Sequence, residues 1–184
     1  MQISTRKGVL GIAAAGFSLR LLLAARDVTI LDRLFVPDDT YYTLGIARGL
    51  ARGWGPSLDG LHLTNGFQPL LAFLLVPFFA VTRDPVTPLR AGWVLLALAD
   101  AMSAILLARL AARALSSPQH APTESRSAAL WACAFWSFSP VAVANAMGGL
   151  ETSLAVACQL ACVEAWCLAR EKRTSPAYFL AGAL

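Results

Sequence analysis

Asp38 and Asp39 are adjacent carboxylates just after the first long apolar segment of a chain that is 57% hydrophobic and only 14% charged. At a bilayer surface, two neighbouring carboxylates repel each other unless a cation, a metal ion or a proton lies between them. Their surroundings are polar and aromatic: Tyr41 and Tyr42 follow at once, and Thr64-Asn65-Gly66-Phe67-Gln68-Pro69 lies further on. His62 offers a ring nitrogen to a metal or a substrate, although a lone loop histidine more often does neither. Arg48 and Arg52 stand one helical turn apart beyond the acids, where the plainer reading of both is a helix edge that faces solvent or lipid phosphate. A further acid, Glu151, follows Asn145-Ala146-Met147-Gly148-Gly149-Leu150.

Positioning these groups falls to membrane helices. The mean hydropathy is +0.60, and several apolar runs approach the length that crosses a bilayer, which defines an all-α, polytopic membrane protein. The net charge of +4 comes from arginines in short clusters beside apolar runs, where they orient helices; it leaves no nucleic-acid footprint. Cys133, Cys158, Cys162 and Cys167 all fall inside apolar runs without an accompanying His or carboxylate cluster, so they read as small packing residues.

Spans are expected over 8–25, 89–110, 128–146 and 152–169. Arg6 and Lys7 precede the first, which is long for a signal sequence and reads as a retained anchor. The run 67–81 is short and carries Pro69 and Pro77. If it crossed, the basic clusters Arg109, Arg113, Arg126 and Arg170, Lys172, Arg173 would lie opposite Arg6 and Lys7, against the positive-inside rule. Keeping 67–81 on the outer side makes all the basic clusters cytoplasmic and 26–90 one external segment. Asp38, Asp39 and Glu151 then face the same side. The external segment is expected to hold amphipathic juxtamembrane helices over 40–52 and 67–81, with Gly53-Trp54-Gly55-Pro56 ending the first and Asn65-Gly66 turning into the second. A last run from 176 is too short to cross before Leu184, so 1–184 reads as a single membrane module truncated from a larger protein.

Taken in order, Asp38-Asp39-Thr40-Tyr41-Tyr42, Ile46-Ala47-Arg48, Thr64 to Pro69 and Gly149-Leu150-Glu151-Thr152 resemble the N-terminal part of the glycosyltransferase-C superfamily. The likeness is narrower to its bacterial protein-mannosyltransferase-like and aminoarabinose-transferase-like members. It implies a bacterial plasma-membrane enzyme with its site on the periplasmic side and a sugar donor carried on a polyprenyl phosphate. Asp38 and Asp39 match the first acidic motif and Glu151 the second, which makes these the expected catalytic residues. The chemistry agrees. A hydroxyl attacking a sugar C1 needs a base to take its proton, and the departing polyprenyl phosphate needs positive charge from an Arg or a divalent metal, Mg or Mn. Asp39 and Glu151 are the metal ligands so implied; Arg48, Arg52, Tyr41, Asn65 and His62 are the substrate-binding residues. Where related chains often carry His after the Asn-Gly-aromatic step, this one has Gln68, which removes a ligand there. Asp38 has a plainer reading as a helix N-cap after Pro37.

A non-enzymatic reading competes: a transporter subunit, or an inactive relative that binds lipid carriers. It would place function at the intramembrane charges Arg20 and Asp100, which otherwise read as a pair between the first and second spans. Glu164 is expected to snorkel to the Arg170 cluster. Membrane lipids, the lipid-linked donor and an acceptor of unstated chemistry are the expected partners.

Overall fold

The computed structural model describes residues 3–116 and 120–172, with side chains through Arg170. Expectations for Lys172 as a side chain, for Arg173 and for the run from 176 lie outside the described residues. The elements are α1 (Ile3–Ala24), α2 (Val28–Phe35), α3 (Asp38–Ala51), α4 (Pro69–Val81), α5 (Val86–Ala114), α6 (Pro122–Phe138), α7 (Pro140–Gly148) and α8 (Thr152–Lys172). Among the described residues there is no strand, only an isolated bridge between Ser57 and Leu63. Among the described residues three helices, α1, α5 and α8, are long and apolar enough to cross a membrane, as a multi-pass membrane protein requires. By contrast, α4 has 13 residues, about 20 Å of helix against a hydrocarbon core of about 30 Å.

The expected span 128–146 is not one helix. It breaks at Ser139 and resumes at Pro140 with a 49° bend, and α6 and α7 make a fourth crossing only if read together as one bent span. Pro140 has no N–H, and its ring clashes with the carbonyl four residues back, so a helix that reaches it kinks or breaks. Ser139 makes the break tolerable, because its N–H bonds Trp136 O at 3.3 Å and its hydroxyl takes the Ala142 N–H at 3.4 Å.

The chain divides into two compact units, one of residues 1–18, 99–142 and 153–184, the other of 19–98 and 143–152. In the first, Val9 and Ala13 of α1, Ala104 and Ala108 of α5, and Ala129 and Cys133 of α6 form the core. Small side chains suit helices in lipid, where close backbone approach replaces the hydrophobic effect as the driving force. Cys133 Sγ lies 3.5 Å from Val9 O, and a Cβ on Gly16 would come within 2.7 Å of Ser137 Cβ. The order of contacts gives direction. Arg126 bonds Ser4, Cys133 bonds Val9 and Ser137 abuts Gly16, so α6 runs parallel to α1. Ser125 bonds Ala112 O and Trp136 Nε1 bonds Asp100 Oδ1, so α6 runs antiparallel to α5. It follows that α1 and α5 are antiparallel.

Glu164 is buried and corrects the expectation set for it. Its carboxylate bonds Arg109 at 2.6 Å and Arg113 at 3.1 Å, both on α5, whereas Arg170 lies over the Trp166 ring at 4.8 Å. A buried acid in an apolar setting is costly alone, and two guanidiniums offset that cost better than solvent at a distance. On α6, Trp131, Phe135 and Phe138 recur at helical spacing and are exposed, an apolar stripe fit for lipid contact.

The second unit carries the candidate acids. α2 arises because Asp27 caps it, accepting the Thr29 N–H at 2.8 Å, which holds this carboxyl below its usual range. Pro37 in an extended conformation then starts α3. This helix packs against α4, and Thr43, Leu44, Ile46 and Ala47 on α3 and Leu71, Ala72 and Leu75 on α4 are buried. Pro69 at the first turn, where no N–H is needed, begins α4. Gly49 has to be glycine: a Cβ there would sit 2.0 Å from Ser57 O, where the 55–64 loop crosses the helix.

Candidate functional site

Asp38 and Asp39 occupy the first turn of α3, exposed, where the positive end of the helix dipole favours them. The N-cap is Pro37, so the capping role considered for Asp38 is not the one observed; its Oδ1 accepts the Asp39 N–H at 3.0 Å. One residue on, Thr40 is buried and donates its hydroxyl to Gly148 O at 2.6 Å. That carbonyl belongs to the last turn of α7 and would otherwise lack a partner. Gly149, at φ +79°, then ends α7 in the left-handed region that favours glycine, and a Cβ on it would meet Thr40 Cγ2 at 2.5 Å. The acids of α3 are thereby fastened to the turn that carries Glu151, 108 residues on from Thr40 to Gly148.

A second tie comes from Gln68. Its amide oxygen accepts the Glu151 N–H at 3.3 Å and the Thr43 hydroxyl at 3.5 Å, so it bridges α3 and the Glu151 turn. The residue that lacks the histidine of the resembled pattern thus has a clear structural task here. Beside these ties lies a cavity of about 200 Å³ lined by Pro37, Gly148 and Leu150 among others, the first and last being the chain neighbours of Asp38 and Glu151. The three carboxylates are not part of its lining. Among the described residues no group of three or more His, Cys, Asp or Glu forms a metal cradle.

The remaining expected site residues separate. Tyr41 donates its hydroxyl to Asp32 of α2, and that bond pushes the phenol up to about 12. Arg48 is exposed on α3, ten residues along from Asp38, about 15 Å of helix. Arg52 follows the end of α3, with its guanidinium 4.9 Å above the Trp54 ring. His62 belongs to a local turn: its Nδ1 sits 2.8 Å from Asp59 Oδ2, while Asp59 Oδ1 accepts the Leu61 and His62 N–H groups. The hydrogen bond between them drives the Asp59 carboxyl far below its usual range and raises the His62 imidazole. Asn65 is exposed, next to Thr64, whose hydroxyl is 2.8 Å from that of Tyr42.

Sequence reasoning passed over α2 and Asp32, and it gave Thr40 and Gly149 no task beyond their place in the motifs. Asp27 before Val28, Leu31 and Phe35 was an available helix-start signal, and Gly148-Gly149 an available helix-stop. No local pattern pairs Thr40 with residue 148. Comparison with family models, with curated proteins and with solved structures gave no match, so the glycosyltransferase-C resemblance rests on this chain's own residues.

Proposed function

We propose that the protein is a membrane glycosyltransferase, or the N-terminal part of one, that moves a sugar from a polyprenyl-phosphate carrier to an acceptor by inversion at C1. One observation carries this reading: the Thr40–Gly148 and Gln68–Glu151 bonds tie the helix that carries Asp38 and Asp39 to the turn that carries Glu151 within one compact unit, and chain neighbours of Asp38 and Glu151 line a cavity. In the reaction, the acceptor oxygen bonds C1 as its proton passes to the Asp38 carboxylate. The C1–O bond to the carrier breaks, and polyprenyl phosphate leaves with the electron pair. Asp39 and Glu151 would hold a divalent cation or orient the acceptor. A metal held there would supply charge to the leaving phosphate, and Arg48 would supply it otherwise.

Sidedness has its own support. α1 and α5 are antiparallel where they pack, so the connection between them makes no net crossing, and α4 is too short for one. Arg6, Arg109, Arg113 and Arg126 meet at one cavity, which the positive-inside rule assigns to the cytoplasm. The acids then belong on the external face of a bacterial inner membrane.

The test is cleavage of the donor. Protein reconstituted in vesicles with a polyprenyl-phosphate sugar labelled in the sugar should release free polyprenyl phosphate in proportion to protein. Movement of intact donor between leaflets without cleavage would favour the lipid-carrier-binding alternative.

A further inference from the structure

A second cavity is lined by residues other than those around the acids. It has a volume of about 830 Å³, within the compact unit formed by residues 1–18, 99–142 and 153–184. Arg6 at the start of α1, Arg109 and Arg113 at the end of α5 and Arg126 near the start of α6 all line it. Among the described residues, no carboxylate is part of that lining. Glu164 bonds Arg109 and Arg113, and Glu124 holds His120 at the rim at 3.0 Å. Arg109 and Arg113 are engaged with Glu164, whereas among the described residues Arg6 and Arg126 meet no carboxylate, Arg126 bonding only the Ser4 hydroxyl at 3.2 Å, so these two positive charges remain. A concave surface with such an excess attracts an anion strongly, because its low-dielectric walls screen little.

The cavity also has apolar walls. Val9, Leu10 and Ile105 line it together with the arginines, and Val9 belongs to the packed core of α1, α5 and α6. Guanidiniums beside aliphatic side chains, at the ends of helices able to cross a membrane, match an amphiphile with a phosphate head and hydrocarbon tails. Free phosphate would use the arginines and leave the apolar lining uncovered. We propose that this cavity is a binding site for one anionic phospholipid, its headgroup phosphate held by Arg6 and Arg126 and its glycerol and first methylenes against Val9, Leu10 and Ile105. The site is separate from the acids of α3 and does not depend on the transferase reading.

Arg6→Gln with Arg126→Gln is the informative variant, because it leaves Arg109 and Arg113 to neutralise buried Glu164. Arg33→Gln with Arg83→Gln, two exposed arginines outside the cavity, removes the same charge elsewhere. Each protein is extracted from vesicles of mixed phosphatidylglycerol and phosphatidylcholine, and retained lipid is counted by native mass spectrometry. Wild type and the Arg33/Arg83 variant should each retain one phosphatidylglycerol. The Arg6/Arg126 variant, folded as judged by circular dichroism in phosphatidylcholine, should retain it about 30-fold less tightly. Equal loss in both variants would make the effect one of bulk surface charge and overturn the site. Displacement of the lipid by inorganic phosphate at matched concentration would overturn the phospholipid assignment in favour of a free anion.

Discussion

Gly149→Ala tests the tie between α3 and the Glu151 turn most severely. Two costs add. The backbone at φ +79° disfavours any residue with a Cβ, by about 1–2 kcal/mol. The new Cβ would also lie 2.5 Å from Thr40 Cγ2, far inside normal contact, and relieving such overpacking costs about 1–3 kcal/mol. The expected loss is therefore about 2–5 kcal/mol, read by reversible unfolding in mixed micelles. Thr40→Ser separates the two terms. It deletes Cγ2 while keeping the hydroxyl that Gly148 O accepts, and by itself it should cost about 1 kcal/mol for the lost methyl. In Thr40→Ser/Gly149→Ala the remaining neighbours, Thr40 Oγ1 at 3.4 Å and Cβ at 3.5 Å, are at ordinary contact distance. The double variant should then be more stable than the sum of the singles by about 1–3 kcal/mol. Additivity within about 0.5 kcal/mol would refute the packing of Gly149 on Thr40, and with it the docking of α3 on the turn.

The His62 ring should titrate above 6.5 by NMR, and Asp59→Asn should bring it back toward that value. The sign is set by direction: the His62 contribution to the 55–64 loop is fully present below 6.5 and lost as pH rises through the raised imidazole value. The Asp59 contribution is present above 3.8 and lost only as pH falls through its depressed value, so amide protection at Leu61 and His62 should outlast ordinary carboxylate titration. For sidedness, Leu61→Cys and Ser116→Cys, both exposed, should label from opposite faces in a background without the native cysteines, Leu61→Cys from outside; Ser57 is buried and unsuitable. Labelling of both from one face would remove the topological basis for an external acid site. Arg48→Ala should raise the donor concentration for half-maximal turnover about tenfold, and Arg52→Ala less, because Arg52 already lies on Trp54. Equal effects would return both to a solvated helix edge.

Hydropathy alone located α1, α5 and α8, since an apolar run of spanning length has few other uses. The α3 and α4 helices were legible from Pro37, Gly53 and Pro69, residues that punctuate a helix by their backbone chemistry. Pro140 carried the same message inside 128–146, but the surrounding apolar run masked it and the break at Ser139 was missed. Hydrophobic periodicity also said nothing of which arginines Glu164 meets, because α5 and α8 are joined only in space. At the candidate site the acids were legible as unusual residue types. The groups that hold them together were not: Thr40 and Gln68 are ordinary polar residues whose partners lie 108 and 83 positions away.

The most direct measurement is turnover of polyprenyl-phosphate sugar by reconstituted Asp38→Asn beside wild type, with donor binding measured on the same samples. General-base assistance is worth about 10²–10⁴-fold, so turnover should fall by that factor while donor binding and membrane insertion stay near wild type. Near-normal turnover by a folded, donor-binding Asp38→Asn would contradict the account and leave the acids of α3 as helix-dipole partners.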